Sequence, residues 1–149
     1  MTIESGPSSI NNQQLASSPD ASAWVSASAG TGKTKVLTDR ILRLMLEGVA
    51  PQRILCLTFT RAAAAEMANR LKNQLVNWQT VDDIELIQNI GNLTGTYPDL
   101  LRMTRARGLL ERVTRLPGGM RIQTIHSFCD SLLKRFPLEA NTTPGFSVM

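Results

Sequence analysis

The sequence predicts an α/β domain in which a parallel sheet is covered by helices, and three observations carry that prediction. The short stretch AWVSAS (Ala23 to Ser28) runs into AGTGKT, after which Val36, Leu37, Ile41, Leu44 and Met45 recur at helical spacing until Gly48. The stretch ILCLTFT (Ile54 to Thr60) is apolar almost without interruption, the pattern of a strand buried on both faces of a parallel sheet. From Arg61 the string RAAAAEMANRLKNQLVNW is rich in strong helix formers, with Met67, Leu71, Leu75 and Trp78 at steps of three or four. Strand, helix, strand and helix in this order make a βαβ unit followed by a second covering helix.

The remaining elements follow in chain order. Residues 1–12, rich in Ser, Asn and Gln, show no periodicity and are expected to form a flexible tail, with order beginning near Gln13. DDIELIQNI predicts a short helix, and GNLTGTYP a surface connection. A helix is expected from Pro98 to about Leu116, with Ala106, Leu109, Val113 and Leu116 on one side. Arg105, Arg112 and Arg115 fall beside that side, within an arc of roughly 80°. PGGM stops this helix, Arg121 to Thr124 reads as a short strand, and HSFCDSLLKRF as an amphipathic helix ended before Pro137. The predicted organisation is thus a tail over residues 1–12 and one unit over 13–149.

Composition narrows the class. At 149 residues the chain is the size of one domain, and it is 42% hydrophobic and 19% charged, as soluble globular proteins are. No apolar run approaches the roughly 18 residues needed to cross a bilayer, and MTIESGPSSINNQQ lacks the pattern of a secretory signal, so a cytoplasmic protein with no membrane partner is expected. Cys56 and Cys129 sit in apolar surroundings without ligand spacing, which predicts buried free thiols and neither a disulfide nor zinc. Six arginines lie between Arg102 and Arg121 with Glu111 as the one acid among them; such a cluster suits phosphate contact or a solvated helix face.

ASAGTGKT, from Ala27 to Thr34, matches the phosphate-binding pattern G-x-x-x-x-G-K-S/T at every fixed position except the first, where Ala27 replaces glycine. In such a loop glycines let successive N–H groups turn inward, and the following helix adds its positive end. The segment Ala27, Ser28, Ala29, Gly30, Thr31, Gly32, Lys33 and Thr34 is therefore the predicted nucleotide-phosphate site of a P-loop NTPase, a pattern shared by kinases, GTPases and ATPases. Lys33 would reach the β- and γ-phosphates as the catalytic cation, and the Thr34 hydroxyl would hold Mg²⁺.

The stretches ILCLTFTRAAAAEM and GGMRIQTIHSFC resemble the DNA-touching motifs of the superfamily 1 UvrD/Rep helicases. Together with WVSASAGTGKT and RFPLEAN they are most similar to the front of the AddA family of helicase-nuclease subunits, which act in double-strand break repair. The resemblance covers the chain from Gln13 onward. It implies domain 1A of a RecA-like motor, and alanine at the first loop position is usual there. Gln13 matches the family's glutamine that reads adenine, an amide being suited by its paired donor and acceptor, although Gln14 stands beside it.

The resemblance further implies contacts to single-stranded DNA through Phe59, Thr60 and Arg61 and through Thr124 and His126, with 3'-5' translocation and an AddB-type partner protein. Read without it, Phe59 is a strand residue near a strand's end, and His126 a residue at the start of a helix. Hydrolysis in this class needs an Asp-Glu pair after a further apolar strand, and no such pair occurs in the chain; Asp82 and Asp83 instead open a predicted helix. The expectation is an incomplete ATP-binding domain, truncated before the Walker B strand, that does not by itself hydrolyse ATP efficiently. The alternative is a non-enzymatic nucleotide- or DNA-binding protein, or a decayed remnant that retains the phosphate loop.

Overall fold

The stripe Met67, Leu71, Leu75 and Trp78 predicts the central packing surface, and it is buried as expected along a helix of 20 residues, Arg61–Thr80. The computed structural model describes residues 9–26, 32–136 and 139. In chain order the elements are α1 (Ser9–Ala16), α2 (Lys33–Leu46), β1 (Leu55–Thr58), α3 (Arg61–Thr80), α4 (Asp83–Thr94), α5 (Leu100–Thr114), β2 (Arg121–Thr124) and α6 (Ile125–Arg135). Helix α3 packs against α5, α2 and both strands, and the core joins Ile41, Leu42, Met45 and Leu46 of α2 to Leu86 and Ile90 of α4 and Ala106 and Leu109 of α5.

The architecture is α/β with a two-stranded parallel sheet, as the alternation of apolar runs predicts, but the pairing differs. β1 pairs with β2, in the register Leu55 to Arg121 through Thr58 to Thr124, and α3, α4 and α5 lie between them in the chain. The expected first strand, Ala23 to Ser28, is not formed over its described part: residues 22–26 have no regular structure and Trp24 is 95% exposed. Ala27 and Ser28 lie outside the described residues. A strand needs a neighbour for its backbone N–H and C=O groups, and the described sheet offers this segment none.

Three further expectations change. β1 is covered on one face, where Cys56 packs on the core, while Leu55 and Leu57 on the other face are exposed. An ordered helix begins at Ser9, inside the segment predicted to be a tail. And α4 runs through Gly91, the expected start of a connection, to stop at Gly95, whose φ of 79° is the left-handed geometry that lets a chain leave a helix. Its start accords with prediction: the Asp82 carboxylate accepts from the Glu85 N–H at 2.8 Å.

The arginines of α5 divide by what they meet. The Arg107 guanidinium donates to the carbonyls of Trp78 at 2.8 Å and Val81 at 2.5 Å and pairs with Asp83 at 2.7 Å, so it closes the end of α3 and the start of α4 together. Arg105 donates to the Leu46 carbonyl at the end of α2, and Arg102 pairs with Glu47 at 2.7 Å. Three of the six cluster arginines thus serve helix ends, where terminal carbonyls lack partners and the dipole favours a cation. Arg112 and Arg121 are exposed, and Arg115 pairs with Glu111 at 2.5 Å on the surface. Arg107→Ala is expected to cost about 1–2 kcal/mol, and Arg112→Ala less than about 0.5, in urea unfolding.

The two thiols also differ from expectation. Cys129 is exposed, whereas Cys56 is half-buried and its burial raises the thiol pKa above the ordinary value. A raised pKa leaves less thiolate, the form that reacts. Iodoacetamide at pH 8 is therefore expected to modify Cys129 first, with Cys56 following only as denaturant opens the fold; peptide mapping by mass spectrometry reads the order.

Candidate functional site

Helix α2 begins where the glycine-bearing loop ends. Gly32 precedes it with φ 86° and ψ 15°, a left-handed conformation that a side chain would strain, and its carbonyl accepts from the Val36 N–H at 3.0 Å to open the helical ladder. Lys33 and Thr34 are the first two residues of α2, Lys33 exposed and Thr34 half-buried. The Thr38 hydroxyl donates to the Thr34 carbonyl at 2.9 Å, a bond one turn along α2. Of the predicted nucleotide residues, Ala27, Ser28, Ala29, Gly30 and Thr31 lie outside the described residues.

Against this helix start lies α1. A methyl group built on Gly32 would stand 3.8 Å from the Gln13 amide nitrogen, so Gln13 faces the exit of the loop. Gln14 turns elsewhere: its amide nitrogen donates to the Asn92 carbonyl of α4 at 3.4 Å, and it flanks Gly95. Successive residues of α1 lie about 100° apart, so the two neighbouring glutamines face different partners. Beside this point Ala16, Ala23, Val25, Lys33, Val36 and Arg40 line a groove of about 420 Å³.

The site has the chemistry that a magnesium nucleotide requires in part. A helix start preceded by a glycine held in left-handed geometry suits an anion, with Lys33 as its cation. The Thr34 hydroxyl fits as one neutral oxygen ligand of a Mg²⁺ whose other ligands come from phosphate and water. Among the described residues no three or more His, Cys, Asp and Glu side chains group into a metal site.

A second cluster forms because the two strands are parallel and end level. Thr58 pairs with Thr124, so the bend Phe59-Thr60 after β1, which leads into Arg61 at the start of α3, and the start of α6 at Ile125-His126 lie at the same end of the sheet. Ligands of open parallel sheets bind at this carboxyl end. Phe59 is 85% exposed there, and Arg61 and His126 are exposed as well. The threonines are used locally: the Thr60 hydroxyl accepts from the Ala63 N–H and the Thr124 hydroxyl from the Ser127 N–H, each at 3.1 Å. Each therefore caps a helix whose positive end points toward the cluster, and Thr124 is 7% exposed. A capping hydroxyl that accepts still carries a proton to donate.

Two arginines at the first cluster drew no expectation from the sequence. Arg40 and Arg43, one turn apart on α2, both reach α1 and the chain after it. Among the described residues no helix is long and apolar enough to cross a membrane.

Comparison with known proteins places these features. A family model described as the UvrD/REP helicase N-terminal domain matches residues 9–149. The chain is 37% identical over 125 residues to AddA, the ATP-dependent helicase/nuclease protein of Bacillus pumilus, covering 82% of this chain and 8% of that protein. It is 32% identical over 141 residues to the protein of that name in Pediococcus pentosaceus, covering 94% of this chain and 10% of that one. For the Heliobacterium modesticaldum protein of the same name the identity is 35% over 124 residues, 83% of this chain and 7% of the relative. The chain thus spans a tenth or less of the length of these relatives. With that match across nearly its whole length, the chain belongs to the UvrD/REP helicase N-terminal domain family.

Proposed function

We propose that this chain is the segment that grips ATP and touches single-stranded DNA at the front of an ATP-dependent DNA helicase of the AddA kind, on a P-loop, RecA-like frame. The observation that supports the reading is the approach of the Gln13 amide to Gly32 at the start of α2, an amide beside a helix start. In it, Gln13 reads adenine, and the segment from Ala27 to Thr34 cradles the phosphates. Lys33 neutralises their charge, and Thr34 holds Mg²⁺. Phe59, Thr60, Arg61, Thr124 and His126 face the DNA strand. The whole protein would act in the cytoplasm on broken double-stranded DNA, translocating 3'-5' beside a partner of the AddB type. The 149-residue chain lacks an Asp-Glu pair and is not expected to sustain ATP hydrolysis alone.

Titration with a fluorescent Mg-ATP analogue tests this. Wild-type chain is expected to bind, and Lys33→Ala to bind at least about tenfold more weakly, a loss of some 1.4 kcal/mol. Equal binding by the variant overturns the nucleotide assignment. Steady ATP turnover by the wild-type chain, stimulated by single-stranded DNA and lost in Lys33→Ala, overturns the expectation that it does not hydrolyse alone.

A further inference from the structure

We infer that Arg43 is a positioning residue for Gln13, and through it a determinant of which base the nucleotide site accepts; this rests on the nucleotide reading proposed above. Helix α1 has eight residues, too few to hold a helical shape or a fixed rotation in water without tertiary anchors. Its last carbonyls have no partner inside the helix. The Arg43 guanidinium supplies one: its Nη1 donates to the Gln14 carbonyl at 2.6 Å and to the Ser17 hydroxyl at 2.9 Å. Ser17 is buried, and its hydroxyl also lies 3.1 Å from the Gln14 carbonyl, so guanidinium, hydroxyl and carbonyl form a closed set of three. Arg40 extends the clamp to the carbonyls of Ala16, Ser18 and Ala21.

The clamp matters because of what it leaves to rotation. With the Gln14 carbonyl tied to α2 and the Gln14 amide tied to Asn92 of α4, α1 is held at both sides of one residue. Gln13 then points at Gly32, and a turn of α1 by one residue, about 100°, would bring another side chain there. A helix so pinned holds Gln13 before any ligand arrives, which spares the ordering cost at binding. Arg43 belongs to the third turn of α2, away from Lys33 and Thr34 at its start, so its loss leaves the phosphate grip in place.

The test separates base from phosphate. ATP, GTP and inorganic tripolyphosphate, each with Mg²⁺, compete with the fluorescent ATP analogue on the wild-type chain and on Gln13→Ala, Arg43→Ala, Arg43→Lys and Ser17→Ala. Wild type is expected to prefer ATP to GTP about tenfold, the worth of one well-made hydrogen bond. Arg43→Ala and Gln13→Ala should bring that ratio close to one while tripolyphosphate affinity stays within about twofold; Arg43→Lys, which keeps a cationic donor, should restore most of the preference. Should Arg43→Ala fail to fold, Ser17→Ala, which removes one of the two acceptors, should lower the ratio. An unchanged ratio in Arg43→Ala or Ser17→Ala overturns the inference, as does a fall in tripolyphosphate affinity matching that for ATP. A wild-type chain that binds no nucleotide, or binds without preference, overturns the reading beneath it.

Discussion

Replacing Trp78 by alanine is expected to destabilise the chain by about 3–5 kcal/mol, the usual cost of emptying an aromatic site in a closed core. Trp78 is completely buried in the last turn of α3 and belongs to the cluster that joins α2, α3, α4 and α5. Few atoms around it can follow a collapsing side chain, because the end of α3 is held by the Arg107 bond to the Trp78 carbonyl. A domain of this size is stable by about 5–15 kcal/mol, so the variant should unfold at a much lower urea concentration. The indole Nε1 of Trp78 has no hydrogen-bond partner among the described residues and already bears a desolvation cost. Trp78→Phe removes that donor along with some volume, and is expected to cost no more than about 1.5 kcal/mol. Equal losses in the two variants would show that the packing of the ring is not what stabilises this site.

Phe59→Ala is expected to act in the opposite way, leaving folding unchanged within about 0.5 kcal/mol and weakening single-stranded DNA binding by about 1–3 kcal/mol, or roughly 5- to 150-fold. Its ring is almost fully exposed at the carboxyl end of β1, so little burial is lost on truncation. A base stacking on that face would lose its platform. Fluorescence anisotropy with a labelled oligo-dT reads the affinity, and the salt dependence separates its causes. Phe59→Ala should shift the line of log affinity against log salt without changing its slope, whereas Arg61→Ala should reduce the slope by about 0.7 if it neutralises one phosphate. Unchanged affinity in Phe59→Ala would remove the cluster from the DNA path.

What the sequence discloses and what it conceals follow from where the information lies. The helices are legible because their apolar spacing is local: the buried stripe of α3 from Met67 to Trp78 is the one that periodicity predicts. The strand from Leu55 is legible as an apolar run and the short one from Arg121 by its place between PGGM and a helix, but not their pairing, since a ladder is a relation between segments 66 residues apart. For the same reason nothing local says that Leu57 lacks a cover or that Ala23 to Ser26 lacks a partner. The helix start at Ser9 is concealed because α1 is held by tertiary bonds from Arg40 and Arg43, not by an apolar stripe. Arginines on α5 look alike in sequence, and only the carbonyl ends facing Arg105 and Arg107 distinguish them from Arg112.

Part of the candidate site is legible as well. Gly32, Lys33 and Thr34 stand at a helix start, as the glycine-lysine-threonine pattern predicts, while only the fold shows that Gln13 faces Gly32 and Gln14 faces α4. The five residues assigned to DNA are scattered over 68 positions and become neighbours only through the β1–β2 pairing.

That pairing also sets a scale. Because β1 and β2 end on the same rung, Phe59 after β1 and His126 at the start of α6 are held in one fixed offset by four residue pairs. Slipping the ladder by one residue would move Phe59 by about 3.3 Å relative to His126 and turn the side chains of the slipped strand to its other face. The ladder is in this sense a gauge: one rung decides both where the two residues stand and whether Cys56 still meets the core.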